Sequence, residues 1–285
     1  MTVAEWLRKG ESYLESRAVC ESRANAEWLM AELLGVGRPA ALLQGARVLR
    51  EKEAHQYWAW IKERGKRRPL AYVLGHQPFL GIKIMVDADC LIPRPETEEL
   101  VLECERLLKG ENSQSAKILE IGTGTGCIAI ALAQLLPRAT VFATDVSDKA
   151  LKLAEKNAVA NHVGTRIRFV KDDLFSGRWT LRGWADLLVS NPPYVATAEL
   201  DRLDPEVRAE PRLALDGGKD GLDAVREISA RGVKMLKPGG WLALEIGSTQ
   251  GPAAAELLGA AGLSDVLVKK DAQGLDRMVF GRLPP

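Results

Sequence analysis

The stretch Asn191-Pro192-Pro193-Tyr194 combines residue types able to hold and activate a poorly nucleophilic nitrogen. It follows Asp186-Leu187-Leu188-Val189-Ser190, which reads as a strand. A residue before proline is pushed into an extended conformation, and both Asn191 and Pro192 precede one. The prolines also remove two N–H donors. The result is a stiff loop at the carboxyl end of a strand, where open α/β sheets bind ligands. Such a loop can aim the Asn191 side-chain oxygen and the Pro192 carbonyl at a single planar NH2 group. The lone pair of an amide-type nitrogen is delocalised, so its alkylation needs alignment with a methylsulfonium, which lowers the entropic barrier. The two acceptors also favour the positive charge that grows on nitrogen. Tyr194 can stack on the planar group and exclude water. The competing reading is an ordinary turn with a capping Asn and a buried Tyr, since Asn-Pro and Pro-Pro are turn signals.

A second constellation lies upstream. Glu120-Ile121-Gly122-Thr123-Gly124-Thr125-Gly126 sits between a strand and a helix. Three alternating glycines let the backbone turn sharply and approach a ligand, and the following helix start offers unpaired N–H groups. Gly124 to Ala129 also satisfies the relaxed dinucleotide pattern G-x-G-x-x-A, so this loop alone admits a nicotinamide cofactor. Asp145, ending the next strand, can accept two ribose hydroxyls in either case. Its alternative role is to cap the next helix, which Ser147 and Asp148 fill better. A dehydrogenase has no evident use for Asn191 to Tyr194. Taken in order, the three features imply methyl transfer from S-adenosylmethionine to an amide-type nitrogen.

The elements that must position these residues follow from periodicity. Residues 1–75 show helical spacing, with Trp6, Leu7, Tyr13 and Leu14 on one face, and Gly35, Gly37, Gly65 and Pro69 as stops. Phe79 to Val86 alternates around Gly81 and predicts a hairpin, with residues 76–90 as a linker. Pro95 to Leu108 opens as a helix, with Glu96, Glu98 and Glu99 near its positive end. From Lys117 onward strands alternate with helices, as in a parallel α/β sheet. Expected strands are Ile118–Ile121, Thr140–Ala143, Ile167–Val170, Leu187–Val189 and Trp241–Glu245. Val266–Lys269 and Met278–Phe280 close the chain as an antiparallel hairpin.

Composition excludes several classes. A 285-residue chain with 46% hydrophobic and 27% charged residues suits one large domain plus a smaller one. Its net charge of +1 gives no electrostatic footprint for nucleic acid. The one dense basic run, Lys62 to Arg68, reads first as a solvated helix end and second as a docking surface. Cys20, Cys90, Cys104 and Cys127 form no metal-binding spacing, so no metal is expected. No signal pattern or membrane-length apolar run is present, and a cytoplasmic location is the expectation.

The sequence resembles the release-factor glutamine methyltransferases, which methylate the glutamine of the Gly-Gly-Gln motif of peptide-chain release factors. The resemblance covers nearly the whole chain. It rests on Arg68-Pro69-Leu70-Ala71-Tyr72-Val73-Leu74-Gly75, Leu91-Ile92-Pro93-Arg94-Pro95-Glu96-Thr97-Glu98, Ile121 to Gly126, Asn191 to Tyr194, Glu210-Pro211-Arg212 and Ala214-Leu215-Asp216-Gly217-Gly218. The Asn-Pro-Pro-Tyr loop alone is shared with adenine-N6 nucleic-acid methyltransferases, which remain the alternative. The resemblance implies a Rossmann-like, seven-stranded class I methyltransferase sheet with a C-terminal antiparallel hairpin over residues 91–285. It also implies an N-terminal helical domain, residues 1–75, that helps bind the release factor. By position, Gly122, Thr123, Gly124, Thr125 and Gly126 would line the methionine and ribose part of S-adenosylmethionine, and Asp145 would take the ribose hydroxyls. Asp173 and Leu174 would lie beside the adenine, Leu174 giving apolar contact. Asn191, Pro192, Pro193 and Tyr194 would hold the substrate glutamine, with Asn191 also at the cofactor's edge. Arg94, Glu96 and Asp216 shape the site without an assigned role.

Overall fold

The computed structural model describes residues 1–109, 115–172 and 181–285. They fall into two compact units: Met1–His76 with Asp204–Ala209, and Gln77–Leu203 with Glu210–Pro285.

The first unit is helical. It contains α1 (Val3–Glu15), α2 (Ser22–Leu34), α3 (Arg38–Leu43), α4 (Glu51–Gly65) and α5 (Leu70–Leu74). A capping box starts α1: the Glu5 N–H donates to Thr2 Oγ1 at 3.3 Å, and the Thr2 N–H donates to Glu5 Oε2 at 2.8 Å. Leu14, Leu29, Met30, Tyr57 and Ile61 are fully buried at its centre. Trp6, Tyr13 and Trp58 pack around them.

The basic run is partly structural. Arg64 is buried and donates to Asn25 Oδ1 at 2.7 Å and to Glu206 Oε1 at 2.8 Å. Arg67 donates to both Glu206 oxygens at 2.7 Å. These two cations hold the returning segment Asp204–Ala209 and are not a free surface; neither reading of the run anticipated that.

The second unit begins with a hairpin, β1 (His76–Phe79) and β2 (Ile82–Met85), then α6 (Pro95–Leu108). Strands and helices alternate through β3 (Lys117–Ile121), α7 (Cys127–Leu135), β4 (Thr140–Asp145), α8 (Asp148–Ala160) and β5 (Ile167–Lys171). After β6 (Ala185–Ser190) come the short helix α9 (Pro205–Arg208), which belongs to the first unit, and α10 (Asp223–Glu227). The chain ends with β7 (Leu236–Glu245), α11 (Gly251–Ala260), β8 (Ser264–Lys270) and β9 (Asp276–Arg282). Seven strands form one sheet in the order β5-β4-β3-β6-β7-β9-β8, with β9 antiparallel to both neighbours. This is the class I methyltransferase sheet with its closing antiparallel pair.

Both faces of the sheet are covered. Leu187, Leu188 and Val189 are consecutive and fully buried, as central parallel strands require. Each β-α connection runs from the same sheet edge, so β3, β4, β6 and β7 deliver their carboxyl ends to one place. The chain order reverses between β3 and β6, the position at which such sheets open a binding crevice. Among the described residues no helix is long and apolar enough to cross a membrane.

Candidate active site

A cavity of about 420 Å³ opens at those strand ends. Gly122, Thr123, Gly124, Thr125, Asp145, Asn191, Pro192 and Pro193 all line it. Gly126 and Tyr194 do not. Asp173 and Leu174 lie outside the described residues, although Asp172, just before them, lines the cavity.

The glycine loop has the conformation its composition demands. Gly122 and Gly124 have φ of +70° and +53°, and a Cβ on either would meet nothing within 4 Å. Their bare backbone faces open space, a cradle that side chains would fill. Gly126 serves packing instead, since a Cβ there would lie 3.0 Å from Ala154 Cβ in α8. Asp145 ties loop to strand, accepting from the Gly124 N–H at 2.8 Å and the Ser147 N–H at 2.9 Å. Ser147 caps α8 by accepting from the Ala150 N–H at 3.2 Å.

Two residues that sequence reasoning missed complete this half. Asn157 in α8 is fully buried and donates to the Thr125 carbonyl at 2.9 Å and the Met85 carbonyl at 3.0 Å. It pins the glycine loop to the hairpin. Glu120 is also fully buried. Its Oε2 accepts from Thr123 Oγ1 at 2.7 Å, while Oε1 has no partner among the described residues. Burial, aided by the negative charge of Asp145, pushes its carboxyl from 4.5 up to about 8.

The Asn191 half is held by residues distant in sequence. Asn191 Nδ2 donates to Thr97 Oγ1 at 3.0 Å, and Thr97 Oγ1 donates to Glu245 Oε2 at 2.6 Å. Asn191 Oδ1 is buried and has no partner among the described residues. Tyr194 turns its hydroxyl toward Glu245 Oε1 at 3.4 Å. Burial keeps that phenol neutral by raising its pKa. Behind the loop, Gln250 Nε2 donates to the Tyr194 carbonyl at 3.0 Å, and the Gly217 N–H donates to the Val195 carbonyl at 2.8 Å. Arg94 and the Ile92 N–H both donate to the buried Glu210, joining the two flanking motifs into one wall.

The electrostatics are one-sided. Asp89, Glu120, Asp145 and Asp172 line the cavity, and no Lys, Arg or His does among the described residues. A diphosphate would find no cationic side chain there among the described residues. A ligand carrying an ammonium and a sulfonium is complementary, and the cavity's size suits a small cofactor. The residues present therefore fit S-adenosylmethionine and disfavour a nicotinamide dinucleotide. Among the described residues no cluster able to hold a metal is found.

Known proteins agree. The chain matches the PrmC N-terminal domain over residues 5–75 and the methyltransferase small domain over residues 102–204. A release factor glutamine methyltransferase of Geobacter sulfurreducens is 39% identical over 99% of this chain and 95% of its own length. Its counterpart in Moorella thermoacetica is 41% identical over 97% of each chain. A crystal structure of a methyltransferase from Pyrococcus furiosus superposes with a TM-score of 0.53 at 21% identity, covering 72% of this chain and 91% of that one, which supports the fold. With two near-full-length relatives of one description, the chain belongs to the release factor glutamine methyltransferase family.

Proposed function

We infer that the protein transfers a methyl group from S-adenosylmethionine to the side-chain amide nitrogen of the glutamine in the Gly-Gly-Gln motif of release factors. The observation that carries this reading is the buried, unpartnered Asn191 Oδ1 at the rim of a carboxylate-lined cavity. A buried acceptor without a donor is costly, and a substrate amide N–H satisfies it.

When bound, S-adenosylmethionine supplies an electrophilic methyl group on a positively charged sulfur. Gly122 to Thr125 would hold its methionine and ribose portion, Asp145 would accept ribose hydroxyls, and Glu120 Oε1 would face a cationic group, whose charge would favour ionisation of the raised carboxyl. Asn191 Oδ1 and the Pro192 carbonyl fix the substrate NH2 in place. They also stabilise the positive charge that develops on nitrogen before it releases a proton. Pro192 and Pro193 keep the loop from relaxing toward the amide. Tyr194, on Glu245 rather than in the cavity, braces the loop from behind.

The first unit holds none of these groups, and we assign it to release-factor recognition, with the activity in the cytoplasm. A fragment starting at residue 77 should bind S-adenosylmethionine yet show a lower kcat/KM for intact release factor, as removal of remote binding surface requires. Folding is first checked by circular dichroism, because Glu206 loses Arg64 and Arg67. A folded fragment with full kcat/KM contradicts the assignment.

Asp145→Ala should weaken S-adenosylmethionine binding by about 1.5–3 kcal/mol, the scale of a lost charged hydrogen bond. Unchanged affinity by calorimetry would remove Asp145 from the cofactor site.

Glu120→Gln should move stability and cofactor affinity in opposite directions. The folded pKa is raised, so the cost of ionising Glu120 is absent below 4.5, grows through the interval and is complete above about 8. The amide avoids that cost. Its melting-temperature gain should be negligible at pH 4.5 and largest near pH 8, while cofactor affinity falls. Equal melting temperatures at pH 8 would sink this.

The function itself is tested by offering labelled S-adenosylmethionine with a release factor, the same factor with its Gly-Gly-Gln glutamine replaced by glutamate, and duplex DNA. Label should enter the first alone. Transfer to DNA instead would favour an adenine-N6 methyltransferase.

A further inference from the structure

We propose that Thr97 and Glu245 are positioning residues for methyl transfer: the Glu245 carboxylate accepts the hydrogen bond of the Thr97 hydroxyl, and Thr97 thereby turns the Asn191 carbonyl oxygen toward the substrate. The proposal rests on Asn191 holding the substrate amide. An asparagine side chain has two orientations of nearly equal shape. One presents an acceptor to the incoming NH2 group, and the other presents a second NH2 that repels it. Something must choose between them.

A proton count makes the choice. Thr97 is buried and carries a single hydroxyl proton. At 2.6 Å from Glu245 Oε2, that hydroxyl donates to the carboxylate, because charge-assisted bonds are the stronger ones. Thr97 Oγ1 is then able only to accept from Asn191, so Nδ2 must be the atom that faces it at 3.0 Å. Oδ1 is left buried, without a partner. Packing alone explains neither residue. Valine has nearly the shape of threonine, and a carboxylate fully buried at the end of β7 opposes folding unless it is used.

Protonation of Glu245 reverses the chain. A carboxylic acid donates to Thr97, the Thr97 proton turns to Asn191, and the amide oxygen is drawn away from the cavity. Among the described residues the groups facing Glu245 are Thr97 and Glu96 of α6, the buried thiol of Cys127 at the start of α7, Arg277 of β9 and Tyr194. Burial first, then the negative charge of Glu96, raise its carboxyl from 4.5 to about 7, against the Thr97 hydrogen bond, Arg277 and Tyr194. The rate within the bound complex should therefore fall as pH drops below about 7.

The test is single-turnover methylation of a release factor at saturating substrate and cofactor, across pH, with cofactor affinity measured by calorimetry. Thr97→Val should lose about tenfold or more in transfer rate while binding S-adenosylmethionine nearly as well as the parent, the pattern of a transition-state contact. Thr97→Ser keeps the hydroxyl and should restore most of the rate. Glu245→Gln cannot ionise and should lose the low-pH limb. Asn191→Ala is run beside them. A parental rate in Thr97→Val while Asn191→Ala is inert overturns the relay and leaves the Asn191 assignment standing. A near-parental rate in Asn191→Ala removes that assignment, and the relay falls with it. If Thr97→Val does not fold, the Glu245→Gln profile decides, and an unchanged low-pH limb overturns the proposal.

Discussion

Asn191→Ala is expected to cut methyl transfer by about a hundredfold or more, the scale of losing one preorganised transition-state contact. Most affinity for S-adenosylmethionine should survive, because the glycine loop and Asp145 are held by bonds in which Asn191 takes no part. The loss should appear in the bound complex and not in cofactor capture. Asparagine's shape is not the point; its unpartnered Oδ1 is. Asn191→Asp keeps an acceptor but loses the Nδ2 donor to Thr97, and we expect only partial rescue. Near-normal turnover of Asn191→Ala by initial-rate assay would mean that the loop is structural.

A comparable loss should follow from a residue that touches no substrate. Gly221 has φ of +76°, and a Cβ there would stand 2.2 Å from the Tyr194 carbonyl oxygen and 2.5 Å from Gln250 Nε2. Gly221→Ala therefore meets two obstacles. The left-handed backbone is strained by roughly 1–3 kcal/mol, and the added carbon must displace the carbonyl that Gln250 holds. The Asn-Pro-Pro-Tyr loop would then shift at its far end, and a displacement of about 1 Å at a reacting centre can cost about a hundredfold. Gly259 in α11 is the control, since a Cβ there meets nothing within 4 Å and its φ is not positive. Gly259→Ala should be neutral or slightly stabilising. Equal activity in the two variants would show that Gly221 does not brace the loop.

Legibility in the sequence divides along physical lines. The sheet was readable because buried parallel strands are short apolar runs, and each expected strand lies within the observed one. The apolar run predicts β7 over Trp241–Glu245, whereas the strand begins at Leu236. Pro238, Gly239 and Gly240 look like a turn, yet the strand passes through them with a register shift against β6. α11 was not anticipated: its Ala-rich, weakly amphipathic stretch gives little periodic signal. The short helices between β6 and β7 were missed because no period develops over so few residues.

The site was half legible. Gly122 to Thr125, Asp145 and Asn191 to Pro193 carry local signatures, and the fold brings them to one cavity. Thr97 lies in the Leu91 to Glu98 motif but nothing there assigns it a role, and Glu245, 148 residues away, meets it only through the fold. A carboxylate closing an apolar strand was the available clue. Glu245 ends Trp241-Leu242-Ala243-Leu244 as Asp145 ends β4, and Glu120 sits one residue before the end of β3. Arg64 misled in the opposite direction, since a cation in a basic run looks solvated until its acidic partner arrives from residue 206.

The most direct test of the central claim is tandem mass spectrometry of a release factor after incubation with the enzyme and S-adenosylmethionine. We expect one added methyl group, placed by fragmentation on the glutamine of the Gly-Gly-Gln motif and on its side-chain nitrogen. A methyl group on any other residue, or an unmodified factor in the presence of enzyme that binds the cofactor, would contradict it.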